Sequence, residues 1–457
     1  MDAKHPASTQ CVKRDTRPVN SGSPIAHDPG VHRIFAWVVV LFAVPAASGY
    51  SVLTHEAIID SAWDKNIQPL LVKRFPQAAA DDLRQAHGYA YAGCIIQDMG
   101  YYPFGSKFFS DLVHYVRSGD FVVAMVRDAQ DLNEYAFALG ALAHYAADNH
   151  GHRTAVNPSV GIEYPKLAQK YGAIVTYADD PSAHIKVEFG FDVLQVARGR
   201  YAPQAYHDFI GFQVSKPVLE RAFRDTYSME LKDVFSNVDL ALGTYRHTVS
   251  SLIPEMTKVA WNLKKDDLAK AEPGVTRRKF IYNLSRASYR KEWEGKYEQP
   301  GAGARLLAFL FRIMPKIGPF TAAGFKTPTA QTAKLFEDSF DQTLDQYRSL
   351  LAGVGEDKLA LENRDFDTGE PTRAAEYTLA DNAYSKLAIR LAQKDPQDLD
   401  RKVLDNVLGF YRDLNLSYAS KNDPQQWSEL MVALGKLEAG PGVPRNPAAA
   451  ETSLSTK

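Results

Sequence analysis

Histidine and acidic residues stand at a repeated interval in the segment His144-Tyr145-Ala146-Ala147-Asp148-Asn149-His150-Gly151-His152, where His144, Asp148 and His152 are four residues apart twice. On a helix of about 3.6 residues per turn, positions i, i+4 and i+8 share one face, so three potential ligands point one way. His152 continues that face and His150 leaves it. His184 and Glu188 repeat the four-residue step, which lets side chains on successive turns grip one ion. Imidazole nitrogen with carboxylate oxygen is a donor set that zinc favours, and catalytic zinc sites keep a position for water. The cluster contains no cysteine. A closed thiolate site is thereby excluded, and a hydrolytic centre is the better reading.

The elements that must position these residues read as helices. Apolar residues recur at helical spacing over residues 56–75, 82–96, 132–148, 192–200 and 238–263, and alternating strand patterns are scarce. Thr54, ahead of His55-Glu56-Ala57, is a candidate N-cap. The expected fold class is all-α, a multi-helix domain with a further helical C-terminal region. A chain of 457 residues has room for one large domain or two. The run Lys264-Lys265-Asp266-Asp267, followed by Glu272-Pro273-Gly274, suggests a catalytic domain over 50–265, a helical extension over 266–440 packed on it, and a disordered tail over 441–457. No histidine follows His247, so metal chemistry belongs to the front half.

Residues 34–47 (IFAWVVVLFAVPAA) are apolar, preceded by Arg33 and followed by Ser48-Gly49. This reads as a secretory leader over residues 1–49, cut to expose Tyr50, and as a secreted or periplasmic protein. The run is shorter than the roughly 20 apolar residues needed to span a bilayer. The stretch before it, with Pro6, Pro18, Pro24 and Pro29, is long for the front of a leader, and a start at Val31 would give a conventional one. Residues 1–49 carry five Lys/Arg and three Asp/Glu, so the remainder has 48 against 51, a net charge of −3. That balance argues against a polyanion binder. Cys11 falls in the leader, leaving Cys94 without a disulfide partner.

The order of these residues resembles that of the zinc-dependent phospholipases C, together with glycosylphosphatidylinositol-specific phospholipase D and the zinc-dependent single-strand nucleases, over residues 50–194. The resemblance implies that His55 is the first histidine of the ligand series, Asp98 the acid after it and His114 the next histidine. His144 with Asp148 matches the helical pair, His152 the histidine beyond it, and His184 with Glu188 the closing pair. The run Phe189-Gly190-Phe191-Asp192-Val193-Leu194 is similar to the FGGDVL that follows the closing pair in the phospholipase D branch. Asp111, three residues before His114, is the alternative acid to Asp98.

By the same resemblance up to three zinc ions are implied. One would take Asp98, His114, His144 and Asp148; a second the backbone amine and carbonyl of Tyr50, His55 and the shared Asp148; a third His152, His184 and Glu188. Relatives mostly carry Trp or Cys at the first mature position, so Tyr50 is a departure, although only backbone atoms are needed. An α-amine with a pKa near 8 yields its proton readily to a metal. The implied reaction is in-line attack on phosphorus by zinc-activated water, with Asp98 as the base that orients or deprotonates it.

The expected substrate is a phospholipid or similar phosphodiester. Tyr101, Tyr102, Phe104, Phe108 and Phe109 are candidates to wall a lipid or base pocket, or to fill the core. Residues 305–320 (RLLAFLFRIMPKIGPF) suit either peripheral membrane contact or a buried helix ended near Pro315. Two other functions fit the same donors. A single-strand nuclease would need a basic, aromatic groove, which the net charge does not advertise; a metal-stabilised binding module would use the back half for a partner. His87, His150, His207 and His247 have no partner at ligand spacing and read as supporting or core residues.

Overall fold

Residue 50 begins the part of the chain that the computed structural model describes, which comprises residues 50–201, 212–249, 253–276 and 324–439. The expected leader, the tail, residues 305–320 and His207 lie outside it. Among the described residues the regular elements are helices, apart from one two-stranded ribbon, as the all-α expectation has it. Helices used below are α1 Val52–Ala62, α2 Ala80–Gly93, α3 Lys107–Tyr115, α4 Ser118–Asp128, α5 Leu132–His150, α6 Asn157–Glu163, α7 Pro181–Arg198, α8 Val238–His247, α9 Ile253–Ala271, α10 Ala330–Gly355 and α11 Thr378–Leu391. The ribbon pairs β1 Arg364–Asp365 with β2 Glu370–Pro371, Asp365 opposite Glu370. Among the described residues no helix is long and apolar enough to cross a membrane.

Helix α5 is the centre of the packing. Asp131 caps it by accepting from Glu134 N at 2.8 Å. Sixteen of its residues, from Glu134 to Asn149, are buried, as expected of a helix apolar on most of its circumference. It meets α2 backbone to backbone. A Cβ on Gly93 would lie 2.0 Å from Phe137 O, and one on Gly140 would lie 2.2 Å from Ala90 O. Only glycine permits that approach. It carries the chain leaving α2 directly across the histidine face of α5.

Residues of the back half share this core. A single cluster of buried apolar side chains includes Tyr50 and Phe137 together with Phe336, Tyr347, Phe366 and Leu437. Tyr347 of α10 donates to Leu139 O of α5 at 2.9 Å. The hydroxyls of Tyr50 and Ser339 pair.

Two local expectations change. Thr54 lies inside α1, whose cap position is Ser51; its hydroxyl instead reaches Asp192 at 2.6 Å. The charged run Lys264 to Asp267 is helical, within α9.

Candidate metal centre

Six separate elements deliver the donors. His55 is on α1, Asp98 on a 3₁₀ turn spanning Ile96–Tyr101, His114 on α3, His144 and Asp148 on α5, and His184 and Glu188 on α7. His152 follows α5 on a π-helical turn, Gly151–Val156, a feature frequent at functional sites. Helix α7 begins with Pro181 at its first turn and Asp180 accepting from Ala183 N at 2.8 Å, and it ends at left-handed Gly199. His184, Glu188 and Asp192 therefore lie along one stripe of it.

These residues converge in three groups, each with one donor atom per side chain within 4.8 Å of the others: His55, His144 and Asp148; Asp98, His114 and His144; His152, His184 and Glu188. All eight side chains are at most 3% exposed. Asp148 joins the groups. Its Oδ1 is 3.4 Å from His55 Nε2, and its Oδ2 is 3.1 Å from His144 Nε2, 3.6 Å from His114 Nε2 and 3.9 Å from His152 Nε2. His114 Nε2 lies 3.3 Å from Asp98 Oδ1, and His184 Nδ1 lies 3.0 Å from Glu188 Oε1. Two donors about 2.1 Å from a tetrahedral ion stand roughly 3.4 Å apart. The spacings of this cluster suit atoms gathered around common ions.

Ring orientation agrees. His144 Nδ1 donates to Cys94 O at 3.0 Å and His114 Nδ1 to Ser110 O at 2.8 Å. A carbonyl only accepts, so in each ring the proton sits on Nδ1 and Nε2 is left to face the acids. This is the arrangement found where a histidine binds a metal through its other nitrogen.

The electrostatics favour added positive charge. Burial, reinforced by His144, pushes His55 down to about 3; burial and His152 push His184 down to about 3, and burial takes His152 to about 4. These imidazoles are held neutral, the ligating form. Burial, with Asp148 and Asp98 nearby, raises Glu188 well above the carboxylate range. Asp148 is held well below it, because His144, His114 and His152 more than reverse the effect of burial. His114 is drawn up to about 10 against burial, since Asp148 and Asp98 favour a positive charge at its Nε2. Cations between these groups would satisfy acids and neutral imidazoles together, so the residues fit zinc.

Tyr50 is fully buried, its ring edge-on to His55 at 6.1 Å and to Phe336 at 5.5 Å. Asp111 pairs with Lys107 and stands in none of the three groups. His87 stacks on Trp63 at 3.7 Å, a packing role. Of the five aromatics after Asp98, Tyr101 reaches the centre, 6.0 Å from the His114 ring, and its buried hydroxyl has no hydrogen-bond partner among the described residues. Tyr102 packs on Tyr245, Phe109 on Phe223 and Phe235, and Phe104 is exposed.

Sequence reasoning missed the ribbon. Its turn sets Phe366 against the rings of His114 at 5.3 Å and His144 at 6.0 Å, and brings Asp367 Oδ1 to 3.5 Å from His152 Nε2. Asp365-Phe366-Asp367-Thr368-Gly369 is readable as a turn; nothing local says what the turn touches.

Residues 54–237 match the family model described as zinc dependent phospholipase C. No curated protein and no solved structure matches the chain.

Proposed function

Because residues 54–237 match the family model described as zinc dependent phospholipase C, we propose that the chain is an extracytoplasmic phosphodiester hydrolase acting on a phospholipid or phospholipid-like headgroup. The observation that carries the proposal is the convergence of His55, Asp98, His114, His144, Asp148, His152, His184 and Glu188 into three donor groups linked through Asp148. Zinc held there would lower the pKa of water towards neutrality and stabilise charge on phosphate oxygens. Up to three ions are proposed, with the backbone of Tyr50 joining His55 once a leader is removed.

The chain's own residues supply the remaining functions. Asp98 is the base that orients the attacking water and accepts its proton; burial raises its affinity for that proton, opposed by His144 and His114. Carbonyls of Cys94 and Ser110 keep His144 and His114 in the ligating tautomer. The Tyr101 hydroxyl donates to a phosphoryl oxygen, which would satisfy an otherwise unpartnered buried group. Tyr101, Tyr177 and Leu379 form a small apolar cluster beside His114 and His184 that suits the apolar part of a substrate.

The test is zinc content by plasma spectroscopy on chain beginning at Tyr50, with parallel assays on phosphatidylcholine, phosphatidylinositol and single-stranded DNA. Two to three ions per chain and lipid hydrolysis are expected. Fewer than two ions overturns the multinuclear centre, cleavage of DNA alone makes the protein a nuclease, and zinc without turnover makes it a binding module.

A further inference from the structure

The donors described so far all precede residue 189, and the family match ends at residue 237. Asp367 enters the same cluster from far outside that segment. It is 2% exposed. One carboxylate oxygen, Oδ2, accepts from the hydroxyls of Tyr115, at 2.9 Å, and Tyr377. The other, Oδ1, faces His152 Nε2 at 3.5 Å. That separation is long for a charge-assisted hydrogen bond, but it is close to the roughly 3.4 Å expected of two donors sharing a tetrahedral ion. His152 Nδ1 has no hydrogen-bond partner among the described residues, so His152 is oriented by what its Nε2 faces.

The main chain of the turn acts on the same group by a second route. Asp367 O accepts from Asn157 Nδ2 at 2.7 Å, which orients the amide so that Asn157 Oδ1 faces His184 Nε2 at 2.7 Å. An amide oxygen only accepts, so the His184 proton must sit on Nε2. His184 Nδ1, 3.0 Å from Glu188 Oε1, is thereby left bare and ready to ligate. The turn itself is stiff. Asp365 Oδ1 accepts from Asp367 N at 2.9 Å and Thr368 N at 3.3 Å, and Phe366 N donates to His114 O at 3.3 Å. At left-handed Gly369 a Cβ would come within 2.4 Å of Asn149 O, so the turn is seated directly on the end of α5.

We propose that this turn completes the third metal site: Asp367 Oδ1 is a fourth ligand of the ion held by His152, His184 and Glu188, and the Asp367 carbonyl, through Asn157, fixes His184 as a ligand. The inference rests on the metal-centre reading given above. Four protein ligands make a closed site of the structural kind, whereas three with water make a catalytic one. Chemistry then falls to the ions beside Asp148 and Asp98, and the third ion ties the back half of the chain to the front.

The experiment compares wild type with Asp367→Asn, which keeps an acceptor for Tyr115 and Tyr377 but loses the charge. After equilibration at equal free zinc, Asp367→Asn is expected to hold one ion fewer per chain, or to bind one ion at least about 10-fold more weakly, with an unchanged circular dichroism spectrum. Wild-type stoichiometry and affinity in Asp367→Asn overturns the proposal. Asp367→Cys supplies a gain of signal that also decides the matter should Asp367→Asn not fold. Loaded with cobalt, it should show thiolate-to-metal charge-transfer absorption absent from wild type; a full cobalt complement without that band overturns the proposal. Failure of the underlying reading looks different, since wild type itself would then hold fewer than two ions.

Discussion

Asp98 and Asp148 are both buried carboxylates beside histidines, yet their surroundings divide the work between them. Asp148 contacts four imidazoles and is held ionised, which suits the bridging ligand proposed for it. Asp98 has His114 at 3.3 Å and is pushed upward by burial, as befits a group that must take up a proton. Asp98→Asn should therefore lower kcat by roughly 10²–10⁴-fold while circular dichroism and most of the zinc content persist; unchanged hydrolysis in a folded, zinc-loaded Asp98→Asn would remove it as the base. Residues of this kind were unequally legible. The His144, Asp148, His152 set and the His184, Glu188 pair could be read from spacing alone, because a helix turns a four-residue step into a shared face. His55, Asp98 and His114 have no such regularity, and only their order along the chain, matched to a family resemblance, marked them. Asp367 and Asn157 carried no signal at all, since their value comes from contacts across 215 and 27 residues, with His152 and His184.

Helices define the next scale, and the link between α1 and α7 shows how a donor is held from a distance. Asp192 of α7 accepts from Leu53 N at 3.0 Å, Thr54 N at 3.1 Å and the Thr54 hydroxyl at 2.6 Å. It thus caps the first turn of α1, the helix that carries His55, from 138 residues away. This explains the misplaced cap: local rules look for the capping side chain just before the helix, and here it arrives from another element. It also gives the Phe189–Leu194 run a physical purpose. Asp192→Ala should destabilise the protein by about 1–2 kcal/mol, read as a lower thermal midpoint, and should weaken zinc binding at the group containing His55. A thermal midpoint equal to that of wild type would show that α1 needs no such cap. Helix existence was visible in the periodicity; the π-helical turn that carries His152 was not, because it depends on packing rather than on composition.

At the scale of the molecule, the two halves are interlocked by buried polar contacts as well as by the shared core. Glu163, at the end of α6, accepts from the Thr332 hydroxyl of α10 at 2.9 Å, and Lys326 bonds the Glu163 carbonyl. Burial pushes the Glu163 carboxyl up to about 7 from an ordinary value of 4.5. The folded state then holds this proton more tightly than the unfolded chain, so stability falls as pH rises from about 4.5 through 7. Glu163→Gln should remove that part of the dependence, raising the thermal midpoint at pH 8 relative to pH 5 by the equivalent of about 1–3 kcal/mol. Identical pH profiles for the two proteins would locate the titration elsewhere. The charged run Lys264 to Asp267, which by composition suggests a linker, is part of a helix. Burial of the donors has a kinetic corollary. With every proposed ligand at most 3% exposed and the ribbon turn seated over two of the histidine rings, a chelator, like a substrate, would reach a bound ion only through an opening of the chain. Stripping by excess chelator should therefore proceed at a rate that stops rising with chelator concentration, a plateau set by the protein's own opening; a rate that climbs in proportion to chelator throughout would mean the ions are held in the open.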